Sequence, residues 1–182
     1  MKKISLIILL IILICTLSIS AAAFSEEEWL EDINYLEKEL PARHKNLFFQ
    51  LEEKEFKNEI EKLKSDLSQL SDLEITLRLA EIFAEIGDTH TALDNTQFLS
   101  EYYPFFLKKF EAGYRVITTD QQYQEILGAK LISINDYSVE ELKQKLSGII
   151  TADNQISLDY RLSSFLNLKE ILSYLEIVET DN

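Results

Sequence analysis

The most constraining feature of the sequence is a series of three amphipathic segments before residue 87. In each segment apolar residues recur at steps of three and four, the period of one face of a helix. The stripes are Trp29, Ile33, Leu36 and Leu40; Phe56, Ile60, Leu63 and Leu67; and Ile75, Leu79, Ile82, Phe83 and Ile86. Because short helices of this kind are marginal alone in water, the sequence predicts a packed helical module over residues 24–95.

Start and stop signals mark the ends of these helices. In a capping box, a serine before the helix and a glutamate three positions later satisfy backbone N–H groups at the helix start. Two such boxes are present: Ser25 with Glu28, and Ser71 with Glu74. Phe24 and Trp29 are spaced to pack on each other beside the first box. Pro41 is predicted to end the first helix, because proline disrupts a helix interior.

Residues after Pro104 follow a strand pattern. Phe105–Phe110 and residues 114–118 are rich in aromatic and β-branched residues, with a glycine-containing turn at 111–113 between them. This arrangement predicts an antiparallel hairpin.

Shorter elements follow the hairpin. A short helix is predicted over 121–127, ended by Gly128, and a buried strand of Leu131, Ile132 and Ile134 follows it. A turn at Asn135-Asp136 leads to a helix opened by a third capping box, Ser138 with Glu141. Two helical stretches are predicted between 154 and 175. The predicted fold class is therefore α+β, with a three-helix module, a strand and helix module over 96–152, and a helical segment over 153–182.

Residues 1–23 have the pattern of a signal peptide. Met1-Lys2-Lys3 is basic, residues 4–19 are largely apolar, and Ala21-Ala22-Ala23 supplies small residues for cleavage after Ala23. This predicts a secreted or extracytoplasmic protein. The alternative is an uncleaved N-terminal membrane anchor, because the apolar run approaches the roughly 17–20 residues that span a bilayer.

Composition restricts the chemistry and the partners. The single cysteine, Cys15, lies in the leader, so the processed chain has no disulfide, thiol nucleophile or thiolate metal site. The leader holds two of the 18 basic residues and none of the 32 acidic ones, which gives the processed chain a net charge of −16. That charge repels a phosphate backbone, so nucleic acid is not an expected partner. No cofactor and no membrane association after cleavage are expected; peptide or protein segments are the expected partners.

The polar loop 87–91 (Gly-Asp-Thr-His-Thr) is the main candidate site. Asp88 and His90 have the chemistry of an acid–base pair, or of a metal site completed by His44. The third interpretation is a structural joint between modules, and it makes specific predictions. Gly87 should have a positive φ, Asp88 should accept backbone hydrogen bonds, and His90 should be at least partly buried and hold no metal. Thr91 closes the motif.

Loop 87–91, followed along the chain by residues 127–136, resembles part of a known protein family. The order strand, strand, short helix, glycine, strand, Asn-Asp turn and helix is found in PDZ-like modules, and residues 127–136 (Leu-Gly-Ala-Lys-Leu-Ile-Ser-Ile-Asn-Asp) carry its centre. With loop 87–91 before it, the chain resembles the front part of the C-terminal-processing (tail-specific) serine protease family. It is especially similar to Gram-positive members with a helical N-terminal module, as is the stretch 44–49. The resemblance covers about residues 29–178.

The resemblance implies a secreted serine-type peptidase whose Ser nucleophile and Lys base lie on an α/β core after the PDZ-like module. No such core is recognised in this sequence. We therefore assign no catalytic residue and expect the front portion of a protease-like protein from a truncated or split reading frame, inactive alone. The alternative is a non-enzymatic secreted module that binds peptides or the cell wall, with Tyr103, Phe105 and Phe106 as its candidate peptide groove.

Overall fold

The fold, a computed structural model, is described for residues 24–179 of the 182-residue chain. The predicted signal peptide, its cleavage site and the membrane-anchor alternative concern residues 1–23, which lie outside the described residues. Between residues 24 and 179, no helix is both long and apolar enough to cross a membrane.

Three α-helices form the N-terminal part of the structure, as the apolar stripes predicted. They are α1 (Glu26–Arg43), α2 (Glu53–Asp66) and α3 (Asp72–Ile86), with 3-10 turns at Leu47–Phe49, Leu67–Gln69 and Thr96–Phe98. Both predicted capping boxes are formed. All predicted stripe residues of the second and third helices are buried, because those faces pack against each other and against α1.

The prediction that Pro41 ends the first helix is wrong by two residues. Helix α1 continues to Arg43, and the N–H of His44 still bonds the carbonyl of Leu40 at 2.9 Å. Proline in the last turn removes only the single hydrogen bond that its own nitrogen would have donated, so the neighbouring bonds complete the turn.

The strand region begins with the predicted hairpin. Strands β1 (Phe105–Phe110) and β2 (Gly113–Thr119) pair antiparallel. Residues 128–131 lie along the other edge of β2, where the N–H of Val116 donates to the carbonyl of Ala129 at 3.0 Å. The hairpin therefore has a third extended segment beside it.

A 3-10 helix (Gln121–Ile126) connects β2 to this third segment, which leads into a second, smaller hairpin. That hairpin consists of β3 (Ser133–Ile134) and β4 (Tyr137–Ser138). Asn135 adopts a φ of 48° in the connecting turn, which agrees with the predicted Asn-Asp turn, since asparagine tolerates the left-handed region.

The prediction of a fully buried strand around Ile132 is wrong. Its side chain is 68% exposed, whereas that of Leu131 packs against the core. Successive side chains of an extended chain point to opposite faces. Only one of these two neighbours can therefore face inward.

Three helices complete the structure: α4 (Val139–Leu146), α5 (Gln155–Leu162) and α6 (Lys169–Tyr174). The third capping box is formed at Ser138 and Glu141. Just before α6, the chain pairs with the segment that precedes β1, through a bridge between Tyr102 and Leu168. This pairing holds α6 against the entrance to the hairpin.

Two hydrophobic cores share helix α3. One face of α3 contributes to a core with α1 and α2, through Ile75, Leu79, Ile82, Phe83 and Ile86. The other face contributes Leu77 and Ala80 to a core built from β1, β2, α4, α5 and α6. The described part of the chain is thus an α+β fold, as predicted. The domain boundary near residue 95 stays a prediction.

Candidate functional site

Loop 87–91 begins where α3 ends. Gly87 has φ 70° and ψ 25°, and its N–H donates to the carbonyl of Ala84 at 3.1 Å. This left-handed conformation is accessible to glycine without a steric penalty and reverses the chain direction after the helix. The predicted positive φ is confirmed.

Asp88 is the centre of the hydrogen bonding in this loop. Its Oδ1 accepts the backbone N–H of His90 at 3.0 Å. Its Oδ2 accepts the hydroxyl of Thr91 at 2.6 Å and lies 3.1 Å from Nε2 of His44. The hydrogen bonds from Thr91, His90 and His44, in that order, hold the pKa of the Asp88 carboxyl well below its usual range. Asp88 is therefore a fixed carboxylate.

His44 supports Asp88 from the end of α1. Its Nδ1 accepts the backbone N–H of Asn46 at 3.2 Å, so Nε2 carries the proton that it donates to Asp88. Only 18% of its side chain is exposed. The sequence analysis placed His44 with Asp88 only as ligands of a candidate metal site, and it did not predict the direct hydrogen bond between them.

The prediction that His90 is at least partly buried is wrong. Its side chain is 92% exposed, and its Nδ1 lies 3.7 Å from Oδ1 of Asp88, too far for a hydrogen bond. Asp88 accepts a hydrogen bond from the backbone N–H of His90 and none from its ring. The loop thus presents an exposed imidazole to solvent, 3.7 Å from a carboxylate that is held by other hydrogen bonds.

Thr89 connects the loop to the helical segment near the C-terminus. Its hydroxyl donates to Oδ1 of Asp153 at 2.7 Å, and its carbonyl accepts Nη2 of Arg161 at 2.7 Å. The loop therefore contacts α1 through Asp88 and the start and end of α5 through Thr89. The structural joint is present, but its second partner is the segment after residue 152 and not the hairpin.

These contacts do not form a metal site. Both ring nitrogens of His44 are already hydrogen bonded. Between residues 24 and 179, no group of three or more histidine, cysteine, aspartate or glutamate side chains is arranged to hold a metal ion. A zinc site needs at least three protein ligands, and the loop together with His44 does not supply them.

The structure brings together two of the three candidate groove residues. The rings of Tyr103 and Phe105 stack with centroids 6.2 Å apart and planes 11° from parallel. Phe106, the next residue on β1, points to the opposite face and is 54% exposed. Tyr103 and Phe105 can therefore share one surface, whereas Phe106 belongs to another.

Tyr103 lines a cleft of about 670 Å³ between the start of α3, α6 and the segment before β1. The other lining residues are Ser71, Leu73, Glu74, Glu101, Lys169, Glu170, Ser173, Tyr174, Glu176 and Glu179. Five glutamates and one lysine give this cleft a negative charge, and two tyrosines supply aromatic faces. The sequence missed the cleft because its walls come from segments about 100 positions apart.

Comparison with protein-family models, curated proteins and solved structures gives no match to this chain. The functional interpretation therefore depends on the geometry of the acidic cleft and of loop 87–91.

Proposed function

We propose that this chain is the exported, peptide-binding front portion of a serine-protease-like protein of the tail-specific peptidase type, and that residues 24–179 bind peptide without cleaving it. One observation carries the binding role: the acidic cleft beside Tyr103. Its volume suits one or two side chains of an extended peptide, and concave sites with aromatic walls and a few polar groups are typical binding sites.

The charge of the cleft indicates the kind of peptide. Glu176 and Glu179 are exposed at its rim, and Tyr103 and Tyr174 lie in its walls. Carboxylates attract lysine and arginine side chains, and the chain's own Lys169 already lies over the Tyr103 ring, 5.7 Å from its centroid. The proposed ligand is therefore an unstructured segment that carries basic residues.

A binding assay with paired variants tests this role. Glu176→Gln combined with Glu179→Gln removes two charges from the rim, and Glu26→Gln combined with Glu27→Gln removes the same charge from the first turn of α1. Fluorescence anisotropy with a lysine-rich and a glutamate-rich unstructured peptide should show binding of the first only. The double variant at Glu176 and Glu179 should weaken binding of the lysine-rich peptide on the order of fivefold, as expected for partly exposed charge pairs. The double variant at Glu26 and Glu27 should leave that binding unchanged. An equal loss of peptide binding in both double variants would contradict a binding site in the cleft.

The protease-like assignment has its own tests. The processed chain should leave unstructured peptides intact, because no serine with an adjacent base and oxyanion donors is recognised among residues 24–179. The coding DNA after the codon for Asn182, read in all three frames, discriminates the two forms of the proposal. A serine-bearing core there supports the protease-like protein, and unrelated sequence supports a secreted binding module.

The exposure of His90 favours a second candidate function, that of a general base. An exposed imidazole can accept a proton as a general base, and it would act on a nucleophile from outside residues 24–179. The His90 ring makes no hydrogen bond to Asp88, so it lacks the carboxylate that orients the base in a Ser-His-Asp arrangement. In a chain joined to a serine-bearing core, His90→Ala should then lower kcat by about a hundredfold or more with little change in KM. An unchanged kcat would mean that His90 is not the general base. The lysine that the family resemblance implies would then have that role.

A further inference from the structure

The backbone nitrogen of Phe24 is bound by a carboxylate from a distant part of the chain. Its N–H donates to Oδ2 of Asp72, the first residue of α3, at 3.0 Å. The other oxygen of the same carboxylate accepts Nε1 of Trp29 at 2.7 Å. Asp72 is therefore held in position by the indole and directed at the nitrogen of Phe24.

The side chain of Phe24 is also held. Its ring lies edge-on to Trp29 with centroids 5.6 Å apart, and to Phe98 with centroids 6.4 Å apart. Trp29 and Phe98 contact each other at 6.2 Å. Aromatic pairs in these arrangements contribute beyond their buried area. Both the nitrogen and the ring of residue 24 thus occupy a site built by α1, α3 and the 3-10 turn Thr96–Phe98.

This site coincides with the predicted cleavage point of the leader. Hydrolysis of the peptide bond between Ala23 and Phe24 by a leader peptidase adds one water molecule. The carbonyl carbon of Ala23 becomes a carboxylate, and the nitrogen of Phe24 becomes an amine that takes up a proton. An α-amine has an ordinary pKa near 8 and is charged at neutral pH. The new positive charge therefore arises on the atom that already lies 3.0 Å from Asp72.

We propose that Asp72 with Trp29 and Phe98 forms a binding site for the new N-terminus of the processed chain, so that removal of the leader strengthens the attachment of α1 to α3. Before cleavage the contact is a hydrogen bond from a neutral amide to a carboxylate. After cleavage it is an ion pair with a charge-assisted hydrogen bond, which is shorter and stronger. The proposal rests on the export part of the proposed function.

The site also discriminates between neighbouring termini. A chain that begins one residue earlier places its ammonium on Ala23 and leaves an ordinary amide at residue 24. A chain that begins one residue later loses the Phe24 ring and its contacts with Trp29 and Phe98. Only cleavage between Ala23 and Phe24 gives both the charge and the ring to the site.

A comparison of four chains tests the pairing without requiring export. Two begin at Phe24 and two at Ala23, and one of each pair carries Asp72→Asn, which keeps an acceptor for Trp29 but removes the charge. With Asp72, the chain that begins at Phe24 should have an unfolding equilibrium constant about two- to fivefold smaller, the range of partly exposed ion pairs. In the two chains that carry Asp72→Asn, the starting point should make no difference to unfolding. Equal stability of the two Asp72 chains, or the same difference in both backgrounds, would overturn the proposal.

Chemical labelling of the amine provides a second measurement that a general loss of stability does not imitate. Pairing with Asp72 favours the charged amine, and only the neutral amine reacts with an acylating reagent. At pH 7 the α-amine of the chain that begins at Phe24 should react about threefold or more slowly than in its Asp72→Asn form, and the Ala23 pair should show no such difference. N-terminal sequencing of the exported protein completes the test. A mature terminus other than Phe24 would overturn the maturation role, independently of peptide binding or protease-like activity.

Discussion

Nε2 of His44 lies 3.1 Å from Oδ2 of Asp88 and joins the end of α1 to the turn that follows α3. Thr89, the next residue, bonds Asp153 and Arg161. Through these two adjacent residues, one loop fixes three parts of the chain. The exposed ring of His90 projects from this hydrogen-bonded backbone, so loop 87–91 combines a structural joint with an exposed imidazole.

The first prediction separates the two roles within this loop. Asp88→Ala removes the acceptor of three hydrogen bonds and should lower the free energy of unfolding by about 1–3 kcal/mol. His90→Ala removes only an exposed ring and should change it by less than about 0.5 kcal/mol. Urea denaturation of both variants measures the difference. A large loss in the His90 variant would mean that its ring makes a contact in solution.

The second prediction concerns acid. The pKa of Asp88 is lowered in the folded protein by its hydrogen bonds from Thr91, His90 and His44, so the folded state holds a proton there less readily than the unfolded state. The stability that Asp88 contributes is present above its unfolded pKa of about 4 and is lost as the pH falls through the lower folded value. The stability difference between the natural chain and Asp88→Asn should therefore narrow between pH 5 and pH 2. A constant difference would contradict the lowered pKa.

The third prediction concerns the glycine that begins the loop. A Cβ at Gly87 would meet Cδ of Gln50 at 2.5 Å, and the φ of 70° strains any side chain. Gly87→Ala should therefore cost about 1 kcal/mol or more. The control is Gly148→Ala, whose Cβ would meet its nearest neighbour, the carbonyl of Lys145, at an ordinary 3.6 Å. In a double variant that adds Gln50→Ala to Gly87→Ala, the stability lost through the clash should be recovered. The loss that is due to backbone strain should remain. Equal effects of the two alanine variants in thermal unfolding would contradict this account.

Local chemistry explains which features the sequence predicted well. Capping boxes such as Ser71 with Glu74 act over three positions, and the left-handed turn at Gly87 depends on one residue type. The hairpin of β1 and β2 follows from strand-forming residues on both sides of a short turn. Each signal is contained within a few neighbours along the chain.

Features that depend on distant packing were not predictable in this way. The exposure of His90 depends on which partners reach Asp88, and His44 is 44 positions away. Two neighbouring apolar residues, Leu131 and Ile132, gave no indication of which one faces the core. The second face of α3 was missed for a related reason. Leu77 lies outside the main apolar stripe, and only the arrival of the strand region gives it a partner.

The last prediction is that the two hydrophobic cores unfold together, because α3 belongs to both. Leu77 is fully buried and faces the strand side, whereas the chain's single tryptophan, Trp29, packs against the core of α1, α2 and α3. Leu77→Ala should cost about 2–5 kcal/mol, as a buried leucine truncation does. It should also shift the unfolding midpoint reported by Trp29 fluorescence as far as that reported by circular dichroism.

The control for this variant is Ile156→Ala on α5, where the side chain is 82% exposed and the expected change is less than about 0.5 kcal/mol. Because α3 belongs to both cores, loss of the core on the strand side removes the support of one face of α3 and thereby weakens the core on its other face. If Leu77→Ala left the Trp29 transition in place while the circular dichroism signal split into two steps, the modules on either side of residue 95 would be independent folding units.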